Sequence, residues 1–320
     1  MKLSIVTTLY RSQSFIDSFL TRATAAAGQI SNDYEIVIVD DGSPDNSLQL
    51  ACAWAKHDPH VRVVELSRNF GHHRALMAGM IHAVGDLVFL IDSDLEEDPA
   101  WLVDFHAQLQ TTDADVVYGV QSERKGGWAE RVFGGVAFRI FDLLIPYKIP
   151  RNHITVRLMR RDYVDALVLH KEQATVIGGL WVITGFRQIA LQVSKSSREG
   201  TNYSIWRRWR MLVDSIVSFS ELPLIAIFYL GIFVSCVSAM VGIWLIIQRM
   251  AFNALLDGWA SVMLSVWLLG GVLIFCVGLI GIYVSKIFVE TKNRPYVIVR
   301  RVHHARDDAA PHDSIEPGAR

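Results

Sequence analysis

Five carboxylates crowd seven positions of the stretch "LVFLIDSDLEEDP": Asp92, Asp94, Glu96, Glu97 and Asp98. They stand directly behind an apolar run, Leu87 to Ile91, which reads as a buried strand. Like charges at that density repel unless something lies between them. Asp92 and Asp94 are two residues apart at a strand end, so both carboxylates can reach one ion. Hard oxygen donors favour Mg²⁺ or Mn²⁺ over zinc. A second pair, Asp40 and Asp41, ends another apolar run in "YEIVIVDDGSPDNS". Neither GxGxxG nor GxxxxGK[ST] occurs in the chain, so no glycine-rich loop offers to cradle phosphate. A divalent cation bridging carboxylates to phosphate is then the route the residues leave open. An acidic helix start at Pro99 accounts for Glu97 and Asp98, but not for Asp92 and Asp94 beside a buried strand.

The elements that must position these groups alternate. "KLSIVTTLY", "YEIVIVDD", "VRVVELS" and "DLVFLI" are strand-like. Between them, "SFIDSFLTRATAAAG", "SLQLACAWAKHD" and "HHRALMAGMIHAVG" are helical, with Ser14 a candidate N-cap and Gly85 a candidate terminator. Short apolar strands separated by helices predict an α/β domain with a mostly parallel sheet covered on both faces. Ligands in such sheets bind at the carboxyl ends of strands. That rule selects Leu9 and Tyr10, Asp40 and Asp41, Arg68 and Asn69, and Asp92, Ser93 and Asp94.

The chain has 320 residues and a net charge of −1, which gives no global basic field for nucleic acid. Its mean hydropathy is +0.28, and the apolar excess is concentrated near the C-terminal end. Pro223 to Ile247 and Trp259 to Ser285 carry no charged residue, and each exceeds the roughly 20 residues that cross a bilayer. Arg207, Arg208 and Arg210 precede the first run, and Lys286, Lys292, Arg294, Arg300 and Arg301 follow the second. The intervening linker holds Arg249 and Asp257 alone among charged residues. The positive-inside rule therefore predicts both ends in the cytoplasm and a short external loop. Gly270, Gly271, Gly278 and Gly281 offer small-residue packing sites, compatible with a homo-oligomer. "YSIWRRWRMLVDSIVSFSEL" reads as an amphipathic segment on the membrane surface. The expected organisation is a catalytic domain over 1–200, interfacial helices over 201–222, two spans over 223–289 and a cytoplasmic tail over 290–320 whose end is disordered. Three dispersed cysteines, Cys52, Cys236 and Cys276, define neither a disulfide framework nor a zinc site. The N-terminus has no secretory signal pattern.

"DSD" behind an apolar strand, with "VDDGSPDNS" upstream, resembles the GT-A domain of family 2 glycosyltransferases. Two C-terminal spans followed by "YVSKIFVETKNRPYVIV" are similar to the bacterial polyprenyl-phosphate glycosyltransferases, relatives of bactoprenol glucosyltransferases and dolichol-phosphate mannose synthase. "GFRQIALQVSKSSREGTNYS" and "SIVSFSELPL" match the same pattern, and the likeness runs to about residue 300. The resemblance implies a nucleotide-sugar donor (UDP-, GDP- or dTDP-linked) and a polyprenyl phosphate acceptor at the bilayer. By it, Asp92 and Asp94 hold Mg²⁺ or Mn²⁺ and the diphosphate, with Ser93 between them. Glu96, where relatives often have Gln, either tightens the ion or holds the sugar. Asp40 or Asp41 meets the base, Leu9 and Tyr10 line its slot, and Thr8 stands where many relatives have Pro. Arg68 and Asn69 contact nucleotide or sugar. Arg157 falls in a segment near the acceptor, although Thr155 and Val156 replace the usual Gly-Asp ahead of it. Arg187, Lys195, Arg198 and Tyr203 are implied to bind phosphate, Arg198 as a catalytic group. His72 and His73 are read as helix-start or nucleotide-side residues rather than bases. The QxxRW signature of processive synthases is absent. Two other readings stand beside this one: single addition to a lipid-linked saccharide, and a non-catalytic membrane partner.

Overall fold

A computed structural model describes residues 1–121, 150, 152–172, 177–194, 222–252 and 258–304. They fall into two compact units. The first holds 1–127, 149–202 and 295–320; the second holds 128–148 and 203–294.

The first unit is built on an eight-stranded sheet, among the described residues: β1 (Leu3–Leu9), β2 (Tyr34–Asp40), β3 (Val61–Leu66), β4 (Leu87–Leu90), β5 (Val116–Gln121), β6 (His153–Arg160), β7 (Gln188–Val193) and β8 (Val299–His303). The order is β7-β5-β6-β4-β1-β2-β3-β8. β6 runs antiparallel to β4 and β5, and β8 antiparallel to β3; every other pairing is parallel. The expected mostly parallel α/β sheet is therefore the observed one. β1 and β4 are buried along their whole length, as strands covered on both faces must be. One face packs Ile5, Phe19, Phe89 and Phe105 into a core, and the other packs Val6, Val39, Leu76 and Tyr163.

Helices α1 (Ile16–Ile30), α2 (Ser47–His57), α3 (His72–His82), α4 (Trp101–Thr111), α5 (Arg161–Val168) and α6 (Ile177–Ile183) complete this unit among the described residues. α1 starts after Phe15 with no side-chain cap, so Ser14 does not serve as the N-cap. α3 ends at His82, and Gly85 lies beyond it. Gly85 has another role: a Cβ there would meet Ser4 N at 2.6 Å, so only glycine lets this turn close on β1. The segment expected to be a C-terminal tail supplies β8, because β3 would otherwise expose a row of unpaired backbone groups.

The second unit contains α7 (Leu222–Phe252) and α8 (Trp259–Thr291). At ~1.5 Å rise per residue each is long enough to span a bilayer. Within α8, Ser265–Thr291 is long and apolar enough to cross, with mean hydropathy 2.4; Leu222–Val234 is a shorter apolar stretch. Of the expected external loop, 248–252 continue α7 and Gly258 caps α8; residues 253–257, the amphipathic segment expected from 203 onward (apart from Leu222) and the end of the tail fall outside the described residues.

Candidate active site

The carboxyl edge of the parallel strands gathers most of the residues picked out from the sequence. β1 delivers Thr8 and Leu9, β2 delivers Asp40, and the chain after β4 delivers Asp92, Ser93 and Asp94. Ser93 is buried, and its hydroxyl donates to Thr8 O at 2.8 Å and lies 3.3 Å from Ser12 Oγ. It fastens the carboxylate turn to β1 rather than presenting itself to a ligand. Asp94 Oδ1 accepts the Glu96 N–H at 3.0 Å, and Leu95 between them adopts φ 61°. A non-glycine residue in that region is strained, and such strain concentrates where a turn must aim side chains. Tyr10 is exposed beside Arg11, whose φ is 57°. Leu9, by contrast, is in the core and lines no open slot, because its position on β1 points inward.

Asp92 Oδ1 is buried and accepts no hydrogen bond; His72 Nε2 lies 3.5 Å from it. His72 opens α3, and its Nδ1 lies 3.2 Å from Thr8 Oγ1. A buried carboxylate oxygen without a donor is costly, and it is the kind of atom a cation satisfies. Among the described residues no three His, Cys, Asp or Glu side chains come together as a chelating group. Two carboxylates completed by substrate phosphates and water are enough for Mg²⁺, which is seldom fully caged by protein. The residues present therefore fit a divalent ion.

Asp40 and Asp41 play different parts. Asp41 accepts the N–H groups of Phe70 at 2.7 Å and Gly71 at 3.0 Å, so it ties β2 to the loop after β3. Asp40 Oδ2 takes the Ser43 N–H at 3.3 Å, while its Oδ1 is buried without a hydrogen bond. Burial raises the pKa of both carboxyls above the ordinary value. Asp40 is thus the member of the pair with an acceptor to spare. Gly42, at φ 64°, lets the chain pass the Arg68–Asn69 backbone, where a Cβ would meet Asn69 N at 2.6 Å. Arg68 and Asn69 are exposed, and the Arg68 guanidinium stacks 4.1 Å from the Phe70 ring centroid.

A model of the family described as glycosyl transferase family 2 matches residues 4–168. The chain belongs to glycosyl transferase family 2. A Mycobacterium tuberculosis protein named only as a glycosyltransferase is 52% identical over 303 residues, covering 95% of this chain and 89% of that one. The SfII prophage-derived bactoprenol glucosyl transferase of Shigella flexneri is 30% identical over 306 residues, covering 95% and 99%. The solved mannosyl-3-phosphoglycerate synthase of Rubrobacter xylanophilus superposes with a TM-score of 0.47 at 16% identity, covering 68% and 72%, too loose a likeness to bear on activity.

Two of the glycosyltransferase's expected phosphate ligands are placed elsewhere. Arg157 is 1% exposed, with its guanidinium against the Trp181 ring and hydrogen-bonded to Thr155 O and Ile154 O. Desolvation lowers its pKa to about 9, opposed by the nearby Tyr163, Glu97 and Tyr118. It is an internal cation below the carboxylate turn. Arg187 is at the start of β7, where its N–H donates to Asp115 and its guanidinium pairs with Asp113 at 3.5 Å. β7 is parallel to β5, so Arg187 lies at the amino edge, about 15–20 Å along the strands from the Asp92 edge. Lys195, Arg198 and Tyr203 fall outside the described residues; β7 ends at Val193 on the carboxyl edge.

Glu97, expected at a helix start, is instead fully buried, and its Oε2 accepts the Asp92 N–H at 3.3 Å. A distant signal for a buried acid is an arginine inside the apolar run "ITVRLM", whose charge Glu97 opposes from nearby.

Proposed function

We propose that this glycosyltransferase transfers one sugar from a nucleotide sugar to a polyprenyl phosphate at the cytoplasmic face of a membrane, with inversion at the sugar C1. The observation that carries the donor half is Asp92 Oδ1, buried at the carboxyl edge without a hydrogen bond. The acceptor half is supported by the relatives named for bactoprenol, whose length this chain matches almost entirely, and by the apolar helix Ser265–Thr291. In this reading α7 and α8 both span the bilayer, with the two ends of the chain in the cytoplasm.

Asp92 and Asp94 would hold Mg²⁺ or Mn²⁺, with Glu96 adjacent. The ion's contribution is to offset charge on the departing nucleoside diphosphate. Asp40 Oδ1 accepts from the base, and Arg68 and Asn69 contact the diphosphate or sugar. A phosphate monoester with a second pKa near ~6 is largely dianionic at neutral pH, so the acceptor needs no general base. What remains is alignment, assigned to Lys195, Arg198 and Tyr203, with Arg198 meeting the acceptor phosphate.

The test incubates the full-length protein in detergent with UDP-, GDP- and dTDP-sugars and undecaprenyl phosphate, with Mg²⁺, with Mn²⁺, or with EDTA. Mass spectrometry should find a hexosyl-phosphate lipid that EDTA abolishes. Product on a lipid-linked saccharide alone would replace the proposed acceptor. Full activity in EDTA would remove the metal from the mechanism.

A further inference from the structure

The chain emerging from α8 returns to the sheet and reaches the donor side of it. β8 runs antiparallel to β3 with Val299 opposite Leu66, so residues 296–298 are level with the carboxyl edge. There Ser67 N–H donates to Ile298 O at 2.9 Å. Tyr296 and Phe70 pack against the same buried cluster, and the Arg74 guanidinium lies 5.5 Å from the Tyr296 ring centroid. Lower down, Glu65 is held from β8 by His303 Nε2 at 2.9 Å and Arg300 at 3.2 Å. The loop Ser67–Gly71 is thereby gripped on one side by Asp41 and on the other by the C-terminal segment. Phe70 in turn carries Arg68 on its ring.

We infer that Tyr296–His303 is a positioning element of the donor site: it fixes the loop that bears Arg68 and Asn69, and so sets nucleotide affinity from a point more than two hundred residues away in sequence. This rests on reading the carboxyl edge as the donor site. Tyr296 touches no reacting atom in this scheme. Its part is to keep the loop in the geometry that binding otherwise must impose, and ordering a loop on binding costs affinity.

The experiment measures binding of UDP, GDP and dTDP with Mg²⁺ to the full-length protein, together with amide hydrogen exchange. Tyr296→Ala should raise Kd for the nucleotide that wild type binds about tenfold. Exchange at Phe70 and Gly71, whose N–H groups bond Asp41, should quicken while β1 and β2 remain protected. Transfer assays should show the loss in KM for the nucleotide sugar rather than in kcat. Tyr296→Phe, which keeps the ring, should restore all three, and Tyr296→Leu carries the same test if the alanine variant fails to fold. Unchanged Kd and exchange in Tyr296→Ala would overturn the inference alone. So would lost affinity accompanied by faster exchange throughout β1 and β2. Wild type that binds none of the three nucleotides would overturn the donor-site reading and this inference with it.

Discussion

The two edges of the same sheet are finished in opposite ways. At the amino edge, polar groups close on one another. Ser4 Oγ donates to Glu35 at 2.6 Å and accepts the Gly85 N–H, Glu35 takes the Val84 N–H at 2.7 Å, and Arg62 pairs with Glu35 at 3.1 Å. Arg161 is hydrogen-bonded to Gly85 O, and Asp115 accepts from Arg187. Arg62 Nε and Thr24 Oγ1 are buried there without a hydrogen bond. At the carboxyl edge, among the described residues, buried carboxylate oxygens that include Asp40 Oδ1 and Asp92 Oδ1 accept no hydrogen bond. A buried acceptor left unmade costs roughly 1–3 kcal/mol, so a ligand that donates to these oxygens or coordinates them would stabilise the second edge.

Substitutions can break or sharpen this contrast. The largest effect expected is at the open edge: Asp92→Asn should lower transfer by on the order of 10²–10³-fold while leaving the melting temperature unchanged or higher. Retained transfer would mean that the orphaned oxygen has no part in the reaction. Next comes Arg157→Ala, which removes a buried guanidinium from against the Trp181 ring and from the Thr155 and Ile154 carbonyls. It should destabilise the protein by about 2–5 kcal/mol, read as a lower denaturation midpoint, with activity lost through unfolding. Full stability would show that the buried Arg157 side chain adds nothing to the core.

Asp40→Asn should weaken nucleotide binding by about tenfold, roughly 1.4 kcal/mol, and stabilise the ligand-free protein. The sign follows from burial. A carboxyl whose folded pKa is raised carries its full penalty above that folded value, and the penalty vanishes below the unfolded one. The gain in melting temperature should therefore be present at neutral pH and disappear as pH falls through the raised Asp40 pKa. A gain that grows in acid would refute it. The smallest effect belongs to the closed edge: Arg187→Ala should change kcat/KM less than ~2-fold and stability by under ~1 kcal/mol, since exposed ion pairs contribute little. A large loss of activity there would erase the distinction between the edges.

Much of this was readable in the chain because apolar runs and the residues that end them are local signals. "LVFLIDSD" marks a strand and its terminal carboxylates without any knowledge of neighbours. Position across the sheet is not local. Nothing near Arg187 says that β7 starts, rather than ends, beside it, so its place at the amino edge is not legible locally. Nothing near Glu97 distinguishes it from Glu96, although one is fully buried and the other is half-exposed. Arg157 looked like a ligand because arginines near a phosphate site usually are; the aromatic ring of Trp181 that covers it comes from a helix twenty residues later. His72 gained its place only once α3 was seen to begin beneath Thr8 and Asp92.

β8 has a consequence for how the molecule is made. The strand that covers β3 is translated after both long apolar helices, so throughout synthesis the sheet lacks its last member. The loop above β3 acquires its second support only after residues 296–303 have been made, later than every residue of α7 and α8. The order of the sequence thus leaves the carboxyl edge of the sheet unfinished until both long helices have been made.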